Sequence, residues 1–103
     1  MSNPHISQTF DLSGKTIFIT GATSGLGHHF AKTMSAAGAR VVVTGRRVER
    51  LETLCGEIVD AGGQAVPYAL DVTDLEQMEQ VIGAAEKECG SIDVLVNNSG
   101  MNL

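Results

Sequence analysis

Two rhythms of apolar and polar positions alternate along this chain. Lys15–Thr20, Val41–Thr44, Gln64–Leu70 and Ile92–Val96 are short, mainly apolar runs, the first apolar on successive residues and the second β-branched throughout. Such runs predict strands buried on both faces, as in a parallel sheet. Between them, apolar residues recur every three or four positions, which predicts amphipathic helices. The first covers about Gly25 to Ala37, with Leu26, Phe30 and Met34 as its expected buried stripe. The second covers about Val48 to Ala61, with Val48, Leu51, Leu54/Cys55 and Ile58 facing inward. The third begins at Thr73, whose spacing to Glu76 fits a capping box, and turns Leu75, Met78, Val81/Ile82 and Ala85 inward. Gly38, Gly62-Gly63 and Gly90 supply the three stops.

Strands and helices at this spacing make βαβ units with right-handed crossovers, hence a doubly wound parallel α/β sheet. A glycine turn after the first strand sets the expected order at 3-2-1-4. That order places the third strand at an edge, which agrees with Pro67, because proline cannot donate to a ladder. The fourth strand becomes the other edge, yet Ile92, Val94, Leu95 and Val96 read as a strand wanting a neighbour on its far side. The expectation is a sequence that continues past Leu103.

Composition narrows the picture without changing it. The chain has 103 residues, 43% apolar and 18% charged, the make-up of one globular domain rather than a disordered segment. A net charge of −5 argues against nucleic acid and anionic membrane as partners. No apolar run reaches a membrane span and the first residues lack a signal pattern, so a cytoplasmic location is expected. Cys55 and Cys89 lie far apart within helical patterns and read as reduced thiols. His5, His28 and His29 have no metal-ligand spacing.

The candidate chemistry begins at Thr20-Gly21-Ala22-Thr23-Ser24-Gly25-Leu26-Gly27, a strand turning through glycines into a helix. Such a turn offers bare backbone N–H groups to a phosphate. No Gly-Lys-Ser or Gly-Lys-Thr follows, which excludes a P-loop. All four arginines fall between Arg40 and Arg50 in an acidic chain. Two of them, Arg46 and Arg47, follow Gly45 at the end of the second strand. Guanidinium groups there suit a ribose 2′-phosphate, and the absence of a carboxylate at Gly45 removes a repulsion. The alternative is a solvated face of the second helix, beside Glu49 and Glu52. A methyltransferase-like binder of S-adenosylmethionine normally wants an acid after the second strand, and Gly45-Arg46 weighs against it.

These motifs resemble the short-chain dehydrogenases/reductases. Thr20-Gly21-x-x-x-Gly25-x-Gly27 matches that family's cofactor motif in full. Asp71-Val72, Asn97-Asn98-Ser99-Gly100 and the lead-in Phe10–Lys15 match further landmarks in order; Ser99 stands where the family usually has Ala. The resemblance implies a Rossmann-type fold, with residues 1–13 a lead-in and 14–103 the N-terminal part of the dinucleotide-binding domain. It implies a cofactor site of Gly21, Thr23, Ser24, Gly25, Leu26, Gly27, Arg46, Arg47, Asp71, Val72, Asn98, Ser99 and Gly100. NADP is the preferred cofactor and NAD a possible one. By the same resemblance Asp71 and the Val72 backbone would meet the adenine, while Asn98 and Gly100 would shape the loop under the adenosine ribose. The competing readings are a helix cap for Asp71 and an ordinary turn for Asn97–Gly100.

By resemblance the chemistry belongs to a Ser and a Tyr-x-x-x-Lys pair on later elements. The one tyrosine, Tyr68, is followed four positions on by Val72, so no catalytic residue is assigned. The implied function is the NADP(H)-binding part of an oxidoreductase, its catalytic half absent from these residues. It would move hydride between the nicotinamide and a carbonyl or alcohol of a small molecule, as in gluconate 5-dehydrogenases or 3-oxoacyl-carrier-protein reductases. The full-length enzyme is expected to be a homo-oligomer. The alternative is a non-catalytic nucleotide-binding module ending at Leu103.

Overall fold

The computed structural model describes residues 11–99. Within them, strands β1 (Thr16–Thr20), β2 (Arg40–Gly45), β3 (Gln64–Ala69) and β4 (Val94–Asn97) alternate with helices α1 (Gly25–Ala36), α2 (Val48–Asp60) and α3 (Leu75–Cys89). All pairings are parallel and the order is β3-β2-β1-β4, as the alternation predicts. Pro67 accordingly sits in an edge strand, in register with Val43. The boundaries fall within two residues of the sequence reading, which is the usual fraying of element ends.

The two-residue side-chain period of β1 and β2 divides the core. Ile17, Ile19, Val41 and Val43 meet Ala31 of α1 and Leu51, Leu54 and Ile58 of α2 on one face. Phe18 and Val42 meet Leu70 and, from α3, Val81, Ala85 and Cys89 on the other. Fully burying each such large side chain is worth about 1.5–3 kcal/mol, so β1 and β2 form the rigid centre. Cys55 and Cys89 are free, buried thiols on opposite sides of the sheet. Burial pushes the Cys55 thiol up to about 11.

Four expectations are corrected. The fully buried residues of α1 are Gly27, Ala31 and Ser35; of the expected stripe, Leu26 is exposed, while Phe30 and Met34 are only partly buried, Met34 against the core. Small residues let this helix lie close to β1, while the bulky set is rotated one position around it; Leu26 is 51% exposed. Val48 and Leu75, each in the first turn of its helix, are exposed rather than inward. Lastly, α3 is capped by Asp74, not Thr73: the Asp74 carboxylate accepts the Gln77 N–H at 3.1 Å. The Thr73 hydroxyl is already engaged, donating to Asp71 Oδ1 at 2.6 Å. On the outer strand β4, Val94 and Leu95 are about half exposed. No helix among the described residues is long and apolar enough to cross a membrane.

Candidate functional site

In an open parallel sheet, the crevice opens at the carboxyl ends of the strands, where the strand order reverses. Here β1 pairs with β2 on one side and β4 on the other, so the reversal falls at β1. A cleft of about 600 Å³ lies there, and all four strand ends supply it. Gly21, Thr23, Ser24 and Leu26 follow β1, and Gly45, Arg46 and Arg47 end β2 or follow it. Leu70, Asp71, Val72 and Thr73 follow β3, and Asn98 and Ser99 follow β4.

The turn after β1 depends on glycine at two places. Gly21 has φ +63°, and a Cβ there would lie 2.9 Å from Ser99 Oγ. Gly27 is helical, but its Cβ would overlap the Gly21 carbonyl oxygen. The first turn of α1 therefore rests directly on the backbone of the loop it follows. Asn98 closes this arrangement, its side-chain amide donating to the Gly21 carbonyl at 3.1 Å. Thr20 ties the loop after β4 to β1: its hydroxyl accepts the Ser99 N–H at 3.2 Å and donates to Asn97 Oδ1 at 3.0 Å.

What this turn leaves unbonded is as informative. Ser24 occupies the N-cap of α1, yet its side chain makes no capping bond. The Gly27 and His28 amides donate to the Ser24 carbonyl, whereas those of Gly25 and Leu26 have no backbone partner among the described residues. Free N–H groups at the positive end of a helix dipole are a site for an anion. At α2 the N-cap is Arg47, again without a side-chain capping bond. Gly45 adds space: a Cβ there would already lie 3.3 Å from Thr23 Cγ2. The residues present therefore fit a dinucleotide, with donors for phosphate, cations beside a side-chain-free position, and a half-apolar end at Leu70 and Val72.

Asp71 sits at that end. Its Oδ1 accepts both the Thr73 N–H at 3.0 Å and the Thr73 hydroxyl, and its own N–H donates to Gln77 Oε1 at 2.7 Å. The bonds from Thr73, with a smaller contribution from the Arg46 charge, hold its carboxyl below the usual carboxylate range. Asp71 is thus an ionised group within a built turn, which realises part of the capping alternative. Oδ2 has no hydrogen-bond partner among the described residues.

Ten of the thirteen candidate residues line the cleft. Gly25 and Gly27 do not, and serve the turn behind it; Gly100 lies outside the described residues. Gly45, Leu70 and Thr73 complete the lining. The hydrophobic pattern ended the third strand at Leu70 and started the third helix at Thr73, so their position at the strand's carboxyl end was the available signal. His28 and His29 are turned away, His28 standing 3.6 Å from Glu57 and His29 3.5 Å from Thr33. Tyr68 lies outside the cleft, its hydroxyl donating to the Glu88 carboxylate and to the Ala84 carbonyl.

A parallel 3-2-1-4 sheet with this glycine turn at the reversal is a Rossmann-type α/β protein of the NAD(P)-binding class. Comparison with known proteins narrows the class. The family model for short chain dehydrogenases matches residues 15–103, and the chain belongs to that family. It is 37% identical over 101 residues to gluconate 5-dehydrogenase of Gluconobacter oxydans, covering 98% of this chain and 38% of that protein. A dehydrogenase/reductase structure from Sinorhizobium meliloti superposes with a TM-score of 0.87 at 36% identity, over 93% of this chain and 38% of that one. A Haemophilus influenza oxidoreductase with bound NAD superposes with a TM-score of 0.81 at 30% identity, over 87% and 32%. The chain spans 38% of that gluconate 5-dehydrogenase and 29% of a short chain dehydrogenase of Pseudocercospora fijiensis, to which it is 40% identical over 90 residues, 87% of this chain.

Proposed function

We propose that this chain is the NADP(H)-binding part of an oxidoreductase acting on a carbonyl or alcohol group of a small molecule. When bound, the nicotinamide cofactor supplies the hydride donor or acceptor. The chain's own residues bind and orient it. The free amides of Gly25 and Leu26 at the head of α1 take the pyrophosphate, and Asn98 keeps the Gly21 turn closed beneath it. Leu70 and Val72 pack the adenine, with the ionised Asp71 at its edge. Arg46 and Arg47 take the 2′-phosphate at the uncapped head of α2. The observation that carries the preference for NADP over NAD is this pair of guanidinium groups directly after a glycine, in a molecule of net charge −5.

We extend the same proposal to domain limits of 1–13 and 14–103, a homo-oligomeric full-length protein and a small-molecule substrate, with the likeness to short chain dehydrogenases as its support. The second reading is a nucleotide-binding module without chemistry of its own. What favours it is Tyr68, which is tied to Glu88 and Ala84 outside the cleft.

The test is calorimetric titration of the chain with NADPH and with NADH. One charge-assisted hydrogen bond to the 2′-phosphate is worth about 1.5–3 kcal/mol, so NADPH should bind about ten- to a hundredfold more tightly. Arg46→Ala should remove most of that margin and leave NADH affinity unchanged. Equal or tighter binding of NADH by the unaltered chain would overturn the preference.

A further inference from the structure

A second cavity, of about 350 Å³, lies between the last turns of α1 and α2. Of its lining, Gly38 precedes β2 and Gly62-Gly63 precede β3, so it sits at the amino ends of the strands, opposite the nucleotide cleft. We propose that this cavity is a binding site for a small primary amine. Ser35 and Glu57 would hold the ammonium head, and Ala36, Ile58 and Ala61 the short apolar tail.

Three observations carry it. First, Ser35 is only 8% exposed, yet its hydroxyl makes no hydrogen bond among the described residues. A helical hydroxyl can turn back onto the carbonyl four residues earlier, as Thr53 does to Glu49 at 2.9 Å. Ser35 does not. Its Oγ lies against Gly63, where a Cβ would overlap it, and the residue lines the cavity. Second, the two helix ends that meet here lack a compensating cation. The end of α3 has Lys87 in its last turn, and Arg40 donates to its Cys89 carbonyl at 3.1 Å. The last turns of α1 and α2 hold no basic residue, and the carbonyls of Ala36 and Ala61 have no partner among the described residues. Third, the one lysine of the lining is already engaged. Lys32 stands 2.8 Å from Glu57 Oε1, and their bond holds the Glu57 carboxyl below the usual carboxylate range. His28 also meets Oε1, which leaves Oε2 without a partner among the described residues.

Beside this neutral pair, each helix C-terminus adds about half a negative charge, so the cavity favours a cation. An ammonium has three donors, enough for Ser35 Oγ, Glu57 Oε2 and one free carbonyl. The volume is at the small end for ligand pockets, which suits a tail of a few carbons.

The experiment is an NMR titration of the chain with n-butylammonium at constant ionic strength, following the amides of Ser35–Gly38 and Ala61–Gly63. Butan-1-ol and butyrate serve as the neutral and anionic counterparts with the same length of chain. Butylammonium should saturate with a Kd of about 1–10 mM, the range open to so small a ligand, and the other two should not saturate. Ser35→Ala should weaken it about tenfold, the effect of one hydrogen bond to a charged group. Glu57→Gln keeps the shape, removes the charge and should weaken it at least as much. Melting curves check that both variants keep the fold; if Ser35→Ala does not, the surface change Glu57→Gln decides alone. The absence of a saturable shift with butylammonium overturns the proposal. So does equal binding of butan-1-ol or butyrate, which would mark a merely apolar cavity, or unchanged affinity in either folded variant.

Discussion

Replacing Gly27 by alanine tests the close seat of α1 on the turn. On intrinsic propensity alone the change should help, because alanine is favoured over glycine inside a helix by about 1 kcal/mol. The surroundings oppose it. A Cβ at position 27 overlaps the Gly21 carbonyl oxygen and comes within 2.7 Å of Asn98 Nδ2. The obstructing oxygen is backbone, fixed by the loop and by the Asn98 amide, so no rotamer change relieves the overlap. Restoring ordinary contact distances moves the first turn of α1 outward by about 1 Å. Overpacking of this kind costs about 1–3 kcal/mol, and disturbing the Asn98 bond adds about 1 kcal/mol. The net expectation is a loss of about 1–3 kcal/mol, each kcal/mol lowering Tm by about 4–8 °C in a chain of this size. Gly56 in α2 and Gly83 in α3 are the controls: both are helical, and a Cβ at either meets nothing within 4 Å. Gly56→Ala and Gly83→Ala should each stabilise the chain by about 0.5–1 kcal/mol. Urea unfolding of the three variants decides the matter. A Gly27→Ala protein as stable as the unaltered chain, or stabilised like the controls, would refute the close-packing argument.

Two further outcomes follow from single side chains. Asp74→Ala should cost about 1 kcal/mol in urea unfolding, because the Gln77 N–H at the head of α3 loses its acceptor. Thr73→Ala should cost less, and the reverse order would restore Thr73 as the cap. Tyr68 is the only tyrosine, so its ionisation can be followed by ultraviolet absorbance. The bond to Glu88 pushes its phenol up to about 12 from an ordinary 10. A folded value above the unfolded one stabilises fully below pH 10, and that stabilisation drains away as pH rises towards 12. Tyr68→Phe should lose up to about 1 kcal/mol at neutral pH and show a flatter stability profile between those limits. A phenol ionising at its ordinary value would refute the Glu88 bond.

Strand order and element positions were legible because burial on both faces leaves a strong mark. Ile17–Ile19 and Val41–Val43 have no polar residue to break the run, and only a covered parallel sheet accommodates that. Periodicity was less reliable where packing was close. Leu26, Phe30 and Met34 keep helical spacing as well as Gly27, Ala31 and Ser35 do, and hydrophobicity favours the first set. The second set is buried because the approach of α1 to β1 is limited by side-chain size, which a hydrophobic pattern does not record. Caps misled in a similar way: Thr73-x-x-Glu76 has capping-box spacing, but Asp71, two residues earlier, claims the threonine hydroxyl first. Leu70 and Thr73 became visible as cleft residues only once the carboxyl ends of the strands had been brought to one rim.

The three helix heads at that rim are not built alike, and the difference separates the parts of the cleft. Head α3 is closed by its own Asp74. Heads α1 and α2 begin with Ser24 and Arg47, and neither side chain caps. Serine is among the best N-caps, and an unmade cap forgoes about 1 kcal/mol, so leaving it unmade at α1 is a local cost. The same amides, kept free, point a positive dipole end into the cleft, and at α2 Arg46 and Arg47 add full charges to it. An anion placed between the two uncapped heads would satisfy both at once. The capped head lies instead beside Leu70 and Val72, where the cleft wall is apolar. The polarity of the cleft, positive towards α1 and α2 and towards α3 made of Leu70, Val72 and the self-bonded Asp71 turn, thus follows from which helices cap themselves.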